Sequence, residues 1–555
     1  MLMTKRFFLI SLVFSFFLLS STVLWSQGEV DTYNISRRRL SGTARFCSMA
    51  GAFSALGGDV SAVERNPAIA ATFHSYDLCF TGGLETDFTN SVWQNTNNTE
   101  HNGVLNVNGF QSGIAFPFFN REKDKGFTFL LNVSTPYKIK RPISCMRTAY
   151  SDFSLADFTA YSTLDNLTTN NLTAVGDYDP YDAGINWLSV LGYNAGWIVP
   201  ANNSNHGPYD TSFLYPQNGE YKAFGPTNTL IDIMESSNNV ETDIAFGYNW
   251  QDRLYFGFSL NFSKIDYRMQ SRYRESFIDN DYLELENSLN TFGTGMGVSF
   301  GFIGRPTDYL RLAFAVHSPT LFYLTDRYNA RASSCYSYGL DKNGNRLPKE
   351  DWYYSAYTPE EALTSYRILT PARVVLGAAY TFFDKGLVSF DYELLPFAGM
   401  KIFNNVGVAS VYKIENAAIR HNYGIQQSIR LGGEYRLTKR VALRAGYMLQ
   451  TSPLKNRKGL RVGNDSYSEV SVLTSGTIPH YIIPGAEHTF TCGTGCLLPW
   501  NLYLDVAYMF KTQKNDLYAF PTITNKEGSV LVHSGAPAFF TAKSHNVLFT
   551  LGYRM

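Results

Sequence analysis

The feature that most constrains this chain is a period-two alternation that begins near Tyr76 and continues to its last residue. Between Glu241 and Tyr267, Ile244, Phe246 and Tyr248 alternate with smaller or polar residues, Asn249 to Arg253 form a turn, and Leu254, Phe256, Phe258, Leu260 and Phe262 then share one face. The opposite face carries Tyr255, Gly257, Ser259, Asn261 and Ser263. A period of two means a strand with two unlike faces. An unbroken row of large apolar groups opposite small and polar ones matches a strand that meets lipid outside and a polar lumen inside.

The same pattern recurs. Met296, Val298, Phe300 and Phe302 lead through a turn at Arg305 to Asp308 into Leu310, Leu312, Phe314 and Val316. Val374 to Phe382 turns at Asp384 to Gly386, Ile429 to Leu437 turns at Thr438 to Arg440, and Leu498 to Asn501 precedes Leu502, Leu504, Val506, Tyr508 and Phe510. Upstream, Phe110 to Phe118 and Phe127 to Val133 flank a polar turn from Asn120 to Gly126. With a first strand at Tyr76 to Asp87 and a last one from Asn546 to Met555, the count is about fourteen, an even number that suits a closed antiparallel barrel. The connectors between hairpins are long (residues 88–103, 139–238, 276–285, 327–368, 403–423, 453–485 and 518–540), while those within hairpins are short. That asymmetry is the one found in barrels of outer membranes.

The first residues fit this reading. Lys5 and Arg6 precede an apolar run from Phe7 to Trp25 and small residues at Ser26 and Gly28, the layout of a secretory signal peptide over residues 1–28. A permanent membrane helix is the competing reading of that run. No cysteine follows it closely. Aromatic residues make up 15% of the chain, a composition at home in a barrel whose lipid-facing residues are only every second one. The formal net charge of zero implies no polyanion-binding surface, hence no nucleic-acid partner. Nine dispersed histidines, no nucleophile turn of the Gly-x-Ser-x-Gly type and no zinc-type His-Glu-x-x-His leave no catalytic constellation, metal site or cofactor site in view. Cys492 and Cys496 flank Gly-Thr-Gly; a bridge or a metal is one reading, two small strand residues on one face the better one.

Between the signal and the first strand, Gly42 to Ala70 is rich in Gly, Ala and Ser. Gly57 and Gly58 supply a turn that bulkier residues adopt only with strain, Asp59 or Ser61 can cap the short helical turn after it, and Pro67 biases Asn66 toward an extended backbone. The small-residue run, the Leu56-Gly57-Gly58-Asp59 turn and Asn66-Pro67-Ala68, placed behind a secretion signal, resemble the N-terminal hatch of the FadL/TodX family of outer-membrane transporters. Leu310 to Pro319 and Arg430 to Arg436 also resemble strands of that family. The resemblance implies an all-β, membrane-spanning antiparallel barrel of fourteen strands over residues 76–555, with residues 29–75 as a lumen plug gated at Gly57, Gly58, Asp59, Asn66, Pro67 and Ala68. It implies a monomeric channel in the outer membrane of a Gram-negative-type cell, among its lipid and lipopolysaccharide. Assembly by the barrel-insertion machinery is implied too, with Met555 in place of the usual terminal Phe.

Charged residues fall on the inward face at Arg311, Arg373, Asp391, Glu393, Arg430, Glu434, Arg444, Asp505 and Arg554. They are expected to form a polar lumen network that holds the plug by pairing, since unpaired charges there are costly. Inward glycines at 257, 295, 297, 377, 432 and 446 are expected to leave room for a plug close to the wall. The connector 139–238 is too long to be idle, and Trp187 to Leu191, Trp197 to Val199 and Leu230 to Met234 are expected to form short helices at the barrel mouth, either exposing an apolar groove or serving as a purely structural cap. The function implied by the resemblance is passive, ligand-gated uptake of hydrophobic small molecules such as long-chain fatty acids, not enzymatic, with a lateral exit near the third strand at Phe127 to Pro136. The alternatives are a surface adhesion or interaction protein anchored by a barrel, and a general diffusion porin.

Overall fold

The structure is a computed structural model that describes residues 28–93, 99–120, 125–201, 204–218, 220–338, 341, 347, 350, 352–359, 362–382, 385–455, 476–524, 530–533 and 535–555. Residues 1–27, and with them the expected signal peptide, lie outside the described residues, as do the centres of two of the expected turns.

The alternation becomes a closed antiparallel barrel of 14 strands. They are β1 (Asp77–Trp93), β2 (Thr99–Asn120), β3 (Lys125–Arg147), β4 (Asn228–Trp250), β5 (Leu254–Ser276), β6 (Tyr282–Gly304), and β7 in two segments (Leu310–His317 and Leu321–Tyr336). Then come β8 (Ala362–Leu369 and Arg373–Phe382), β9 (Gly386–Pro396 and Lys401–Asn404), β10 (Ile425–Arg436), β11 (Val441–Gln450), β12 (Tyr481–Leu497), β13 (Leu502–Tyr518) and β14 (Ala538–Arg554). Each strand pairs with the next, and β14 closes on β1 from Asp77↔Arg554 to Trp93↔Ala538. Closure of β14 on β1 removes the two outer edges that an open sheet would leave. Outward positions carry exposed Phe80, Phe118, Phe127, Phe246, Phe256, Phe300, Phe314, Phe390, Phe490 and Phe549. Cys492 and Cys496 are both outward on β12 and unbonded.

Several strands run much farther than their apolar alternation. The expected connectors 88–103 and 327–368 are largely strand, since β1 reaches Trp93, β2 begins at Thr99 and β7 reaches Tyr336, where a further short strand, Trp352–Tyr357, pairs with it. The physical reason is that the outward face turns polar where it leaves hydrocarbon, while the backbone ladder continues in water. Residues 318–320, 370–372 and 397–400 interrupt β7, β8 and β9 at one level. Pro319, Pro371 and Pro396 sit there, and a proline has no N–H for the ladder. The wall bends without opening, because Ser318 N donates to Val298 O (2.8 Å) and Thr370 N to Thr320 O (3.1 Å).

The long connector after β3 folds into a cap. It contains α-helices Leu155–Ser162 and Trp187–Asn194 and two small hairpins, Ile198–Pro200 with Tyr209–Thr211 and Leu214–Gln217 with Glu220–Ala223. Trp187 to Leu191 is helical as expected, whereas Trp197 to Val199 leads into a strand and Leu230 to Met234 belongs to β4. Leu188, Leu191, Trp197 and Ile198 are buried in one cluster with Trp93, Ile231 and Tyr273 of the wall, so these groups form a core instead of an exposed apolar groove.

Candidate functional site

The N-terminal segment enters the barrel interior from the long-loop side. Its helix α1 (Glu29–Ser36) packs Tyr33 and Ile35 against Phe397, Tyr412, Ile419 and Tyr423, the last three on or beside the loop helix α2 (Lys413–Asn422). Glu29 is fully buried there and accepts two hydrogen bonds from Asn422 Nδ2 (3.0 and 2.8 Å). Burial pushes its carboxyl up to about 8.

From residue 42 the chain makes tight turns at mid-barrel. Gly57 and Gly58 have φ of +77° and +69°, which a side chain would disfavour. Asp59 caps the turn Val60–Glu64 by accepting from Ser61 N (3.0 Å) and also holds the Thr43 hydroxyl (2.6 Å). Asn66, extended at φ −151°, caps Pro67–Thr72 by accepting from Ala68 N (3.0 Å), while its amide donates to Ser54 O (2.9 Å) and Phe302 O (3.3 Å).

Inward glycines make room for this compact unit. A Cβ on Gly257 would stand 2.1 Å from the Pro67 carbonyl carbon, one on Gly377 1.8 Å from Ser54 Oγ, and those on Gly432 and Gly446 would strike Met49. Gly295 and Gly297 differ from expectation: they face Phe322 and the Ser318 to Thr320 bend, not the N-terminal segment. Gly247, Gly301 and Gly493 receive Ala71, Asn66 and Ser48 in the same way and were not singled out in the sequence. They too lie on inward strand positions, the signal that would have found them.

The inward charges meet the segment from several sides. Arg311 donates to Leu56 O (2.5 Å), and Arg373 donates to the Glu64 carbonyl (2.6 Å). The Asp391 carboxylate accepts from Phe53 N, Ser54 N and Ser54 Oγ. Glu393 pairs with Arg65 and lies 3.9 Å from Arg430, which reaches the Ala50 carbonyl at 3.4 Å. Glu434 pairs with Arg45 of the segment (3.2 Å) and with Arg444 (2.7 Å), which pairs with Asp505 (2.5 Å). Arg554 lies apart, at the short-turn end, pairing with Asp77. The partners Arg38, Arg45, Glu64 and Arg65 carry no periodic signal, so the sequence did not single them out. Although burial alone would raise it, Glu64 is held below the usual carboxylate range by Arg38 and Arg373.

A hydrogen-bonded girdle, also unmarked in the sequence, runs around half of the wall. Thr550 and Thr81 hydroxyls meet at 2.7 Å, Thr81 donates to Gln111 (3.0 Å), Gln111 to Asn132 (2.9 Å), and Asn132 and Asn261 both to Asp243 (2.9 and 2.6 Å). Ser299 donates to Asn261 (2.7 Å) and lies 2.6 Å from His317 Nδ1, whose other ring nitrogen faces Arg65 O (3.1 Å). Above it lies a cavity of about 80 Å³ bordered by Ile35, Arg38, Val240, Ile265, Phe322 and Arg373.

The wall is split at one place. β2 and β3 pair from Asn120↔Lys125 up to Gln111↔Ser134 and no farther, although β2 continues paired with β1 and β3 continues paired with β4. The β3–β4 register shifts between Ser134 and Tyr137, around Pro136. Beyond the shift β3 turns inward, where Thr89 and Ser91 of β1 donate to the carbonyls of Pro142 and Ser144.

Residues 230–463, from β4 to beyond β11, match the family model described as outer membrane protein transport protein (OMPP1/FadL/TodX). No curated protein matches the chain in sequence. Among solved structures, a Pseudomonas aeruginosa FadL homologue is 13% identical with a TM-score of 0.51, the match covering 93% of this chain and 99% of that one. The Pseudomonas putida toluene transporter TodX is 12% identical with a TM-score of 0.46, over 93% and 98% of the two chains. With the family model on its central strands and the fold of a FadL homologue along nearly its whole length, the chain is similar to the FadL/TodX family of outer-membrane β-barrel transport proteins.

Proposed function

We propose that this protein is a passive, ligand-gated channel for hydrophobic small molecules such as long-chain fatty acids, with residues 29–75 as a plug and the split between β2 and β3 as a lateral exit. The observation that carries the reading is that split: two long neighbouring strands stop pairing above Gln111↔Ser134 while each keeps its other neighbour. In a closed barrel an unpaired stretch leaves backbone groups without ladder partners, a cost that a lateral path for solute would explain.

A cavity of about 80 Å³ is far below the roughly 300–1,000 Å³ of ordinary ligand pockets, so uptake requires Ile35 to Arg38 and the plug below them to shift. Ligand binding that favours the shifted plug supplies the gating without another energy source.

The test uses uptake of labelled oleate by cells that lack their own fatty-acid transporter. Wild type is expected to restore uptake, and Asn66→Ala to change it several-fold. A reducible thiol crosslink between Phe110→Cys and Thr135→Cys, at the lower lip of the split where the Thr135 hydroxyl meets Phe110 O (3.2 Å), is expected to lower uptake until it is reduced. Uptake indifferent to both changes, or steady ion conductance of the wild type in planar bilayers, overturns the proposal.

A further inference from the structure

A large concavity lies on the outside of the barrel. It is a groove of about 1060 Å³ that starts at Asn102, on the unpaired side of β2, and crosses the upper parts of β3 to β7 as far as Tyr357. The inward neighbours Ile143, Ile233 and Ala330 are buried in the cap core, so the side chains that β3 to β7 offer to the groove are the outward ones, whereas Asn102 comes from the face of β2 that pairs with buried Thr89.

Those side chains are polar and ordered by register. Asp232, Arg272, Glu286, Arg331 and Tyr357 stand side by side on consecutive strands, and Arg331 lies over the Tyr357 ring at 5.4 Å. Asn102 Nδ2 is shielded from solvent and lacks an acceptor. Nearer the apolar belt, Ser236, Arg268, Asn290 and Arg327 form a second row, and Lys264, Thr294, Tyr323 and Arg367 a third. Lys264 is one outward position above Phe262, about 7 Å along the strand. Among the described residues neither Lys264 nor Arg327 forms an ion pair.

We infer that this outer groove, together with the two cation rows beside it on the membrane side, binds the phosphorylated saccharide headgroup of a glycolipid in the outer leaflet, with Lys264, Arg268 and Arg327 of those rows meeting phosphate and Asn102, Glu286 and Tyr357 of the groove meeting sugar. Height selects the occupant: the cations stand where the outward face passes from Phe262 to polar residues, the level of lipid headgroups, and exposed Lys and Arg there attract anionic lipid. Lining chemistry selects it as well. Amides, carboxylates and the tyrosine ring pair with hydroxyls and sugar rings, while Lys264 and Arg327 have no anion among the described residues and Arg268 shares only the exposed Asp266 (3.2 Å). A bare phospholipid headgroup would satisfy the cations but leave the groove above them unfilled. The inference rests on the outer-membrane location and not on the transport reading.

Native mass spectrometry of the full chain in mild detergent tests it, using purified short-chain lipopolysaccharide, the same lipid after phosphatase treatment, and phosphatidylethanolamine. Wild type is expected to retain the phosphorylated glycolipid in preference to both others. The variant carrying Lys264→Ser, Arg268→Ser and Arg327→Ser is expected to bind it at least tenfold more weakly, and Asn102→Trp, which fills the groove, to weaken it without changing charge. Barrel folding is checked by heat-modifiable mobility, with Arg327→Ser alone read if the triple variant fails. Equal binding of the phosphatase-treated lipid, or full binding by the variants, overturns the inference. Asn66→Ala separates the two proposals, since it leaves glycolipid binding intact while altering oleate uptake.

Discussion

The carboxylate of Asp391 on β9 holds Ser54 of the N-terminal segment through three hydrogen bonds, from Ser54 Oγ (2.5 Å), Ser54 N (3.0 Å) and its neighbour Phe53 N (3.2 Å). Asp391 is fully buried, and Gly377 opposite it on β8 leaves the space that Ser54 occupies. Asp391→Ala strands these donors, each at a cost of about 1–3 kcal/mol. The expected outcome is a loosened segment in an intact barrel. Limited proteolysis from the N-terminal side should cut the variant faster than wild type, while heat-modifiable mobility is kept.

Gly257 offers a test by addition. A methyl group on it would stand 2.1 Å from the Pro67 carbonyl carbon and 2.2 Å from Ala68 N, backbone atoms that do not step aside. Gly257→Ala is therefore expected to displace the Asn66 to Ala68 turn at a cost of about 1–3 kcal/mol, as for other overpacked sites. Gly304→Ala, at the end of β6 where the added methyl would meet only the Phe302 ring at 3.4 Å, is the matched control. Single-channel recordings are expected to show leak conductance for the first and none for the second.

The barrel was legible in the sequence because lipid enforces a strict alternation on every outward residue, as at Leu254 to Phe262. Strand ends were not legible where that enforcement stops: β3 reaches Arg147 and β7 reaches Tyr336 with polar outward faces. The inward residues Asp391, Glu393 and Arg430 could be read as lumen charges from parity alone. What they meet could not, since Arg65 and Ser54 reach them through a folded turn whose contacts span more than 300 positions. The split was legible only as Pro136, because the end of a pairing leaves no mark on either strand by itself.

Asn132 links the split to the girdle. It accepts from Gln111 across the last paired rungs of β2 and β3 and donates to Asp243 on β4. Asn132→Ala leaves a buried donor and a buried acceptor unpartnered, a loss of about 2–4 kcal/mol, against about 1 kcal/mol or less for Asn132→Asp if the new acid stays protonated between its neighbours. Midpoints of thermal unfolding in detergent check the order: the Ala variant is expected well below wild type, and hydrogen exchange in Gln111 to Ala115 is expected to rise with it.

The docking of α1 onto α2 should depend on pH through Glu29. Its folded carboxyl stays protonated up to about 8, because burial disfavours the charge and the only direct compensation is the Asn422 amide. Undocked, the same carboxyl ionises near 4.5. A raised folded value means that the undocked state binds fewer protons between these limits, so docking is strongest below pH 4.5 and weakens progressively up to about pH 8. Glu415 on α2, pushed up to about 7 by burial, adds a slope of the same sign over a narrower window. Hydrogen exchange of residues 30–36, corrected for the intrinsic pH dependence of exchange, is expected to show protection falling from pH 5 to pH 8 in wild type. Glu29→Gln is expected to keep the Asn422 contact and remove most of the slope, and adding Glu415→Gln to remove the rest. A slope that persists in the double variant would assign the effect to other groups, because no ionisation at either position would then remain to drive it.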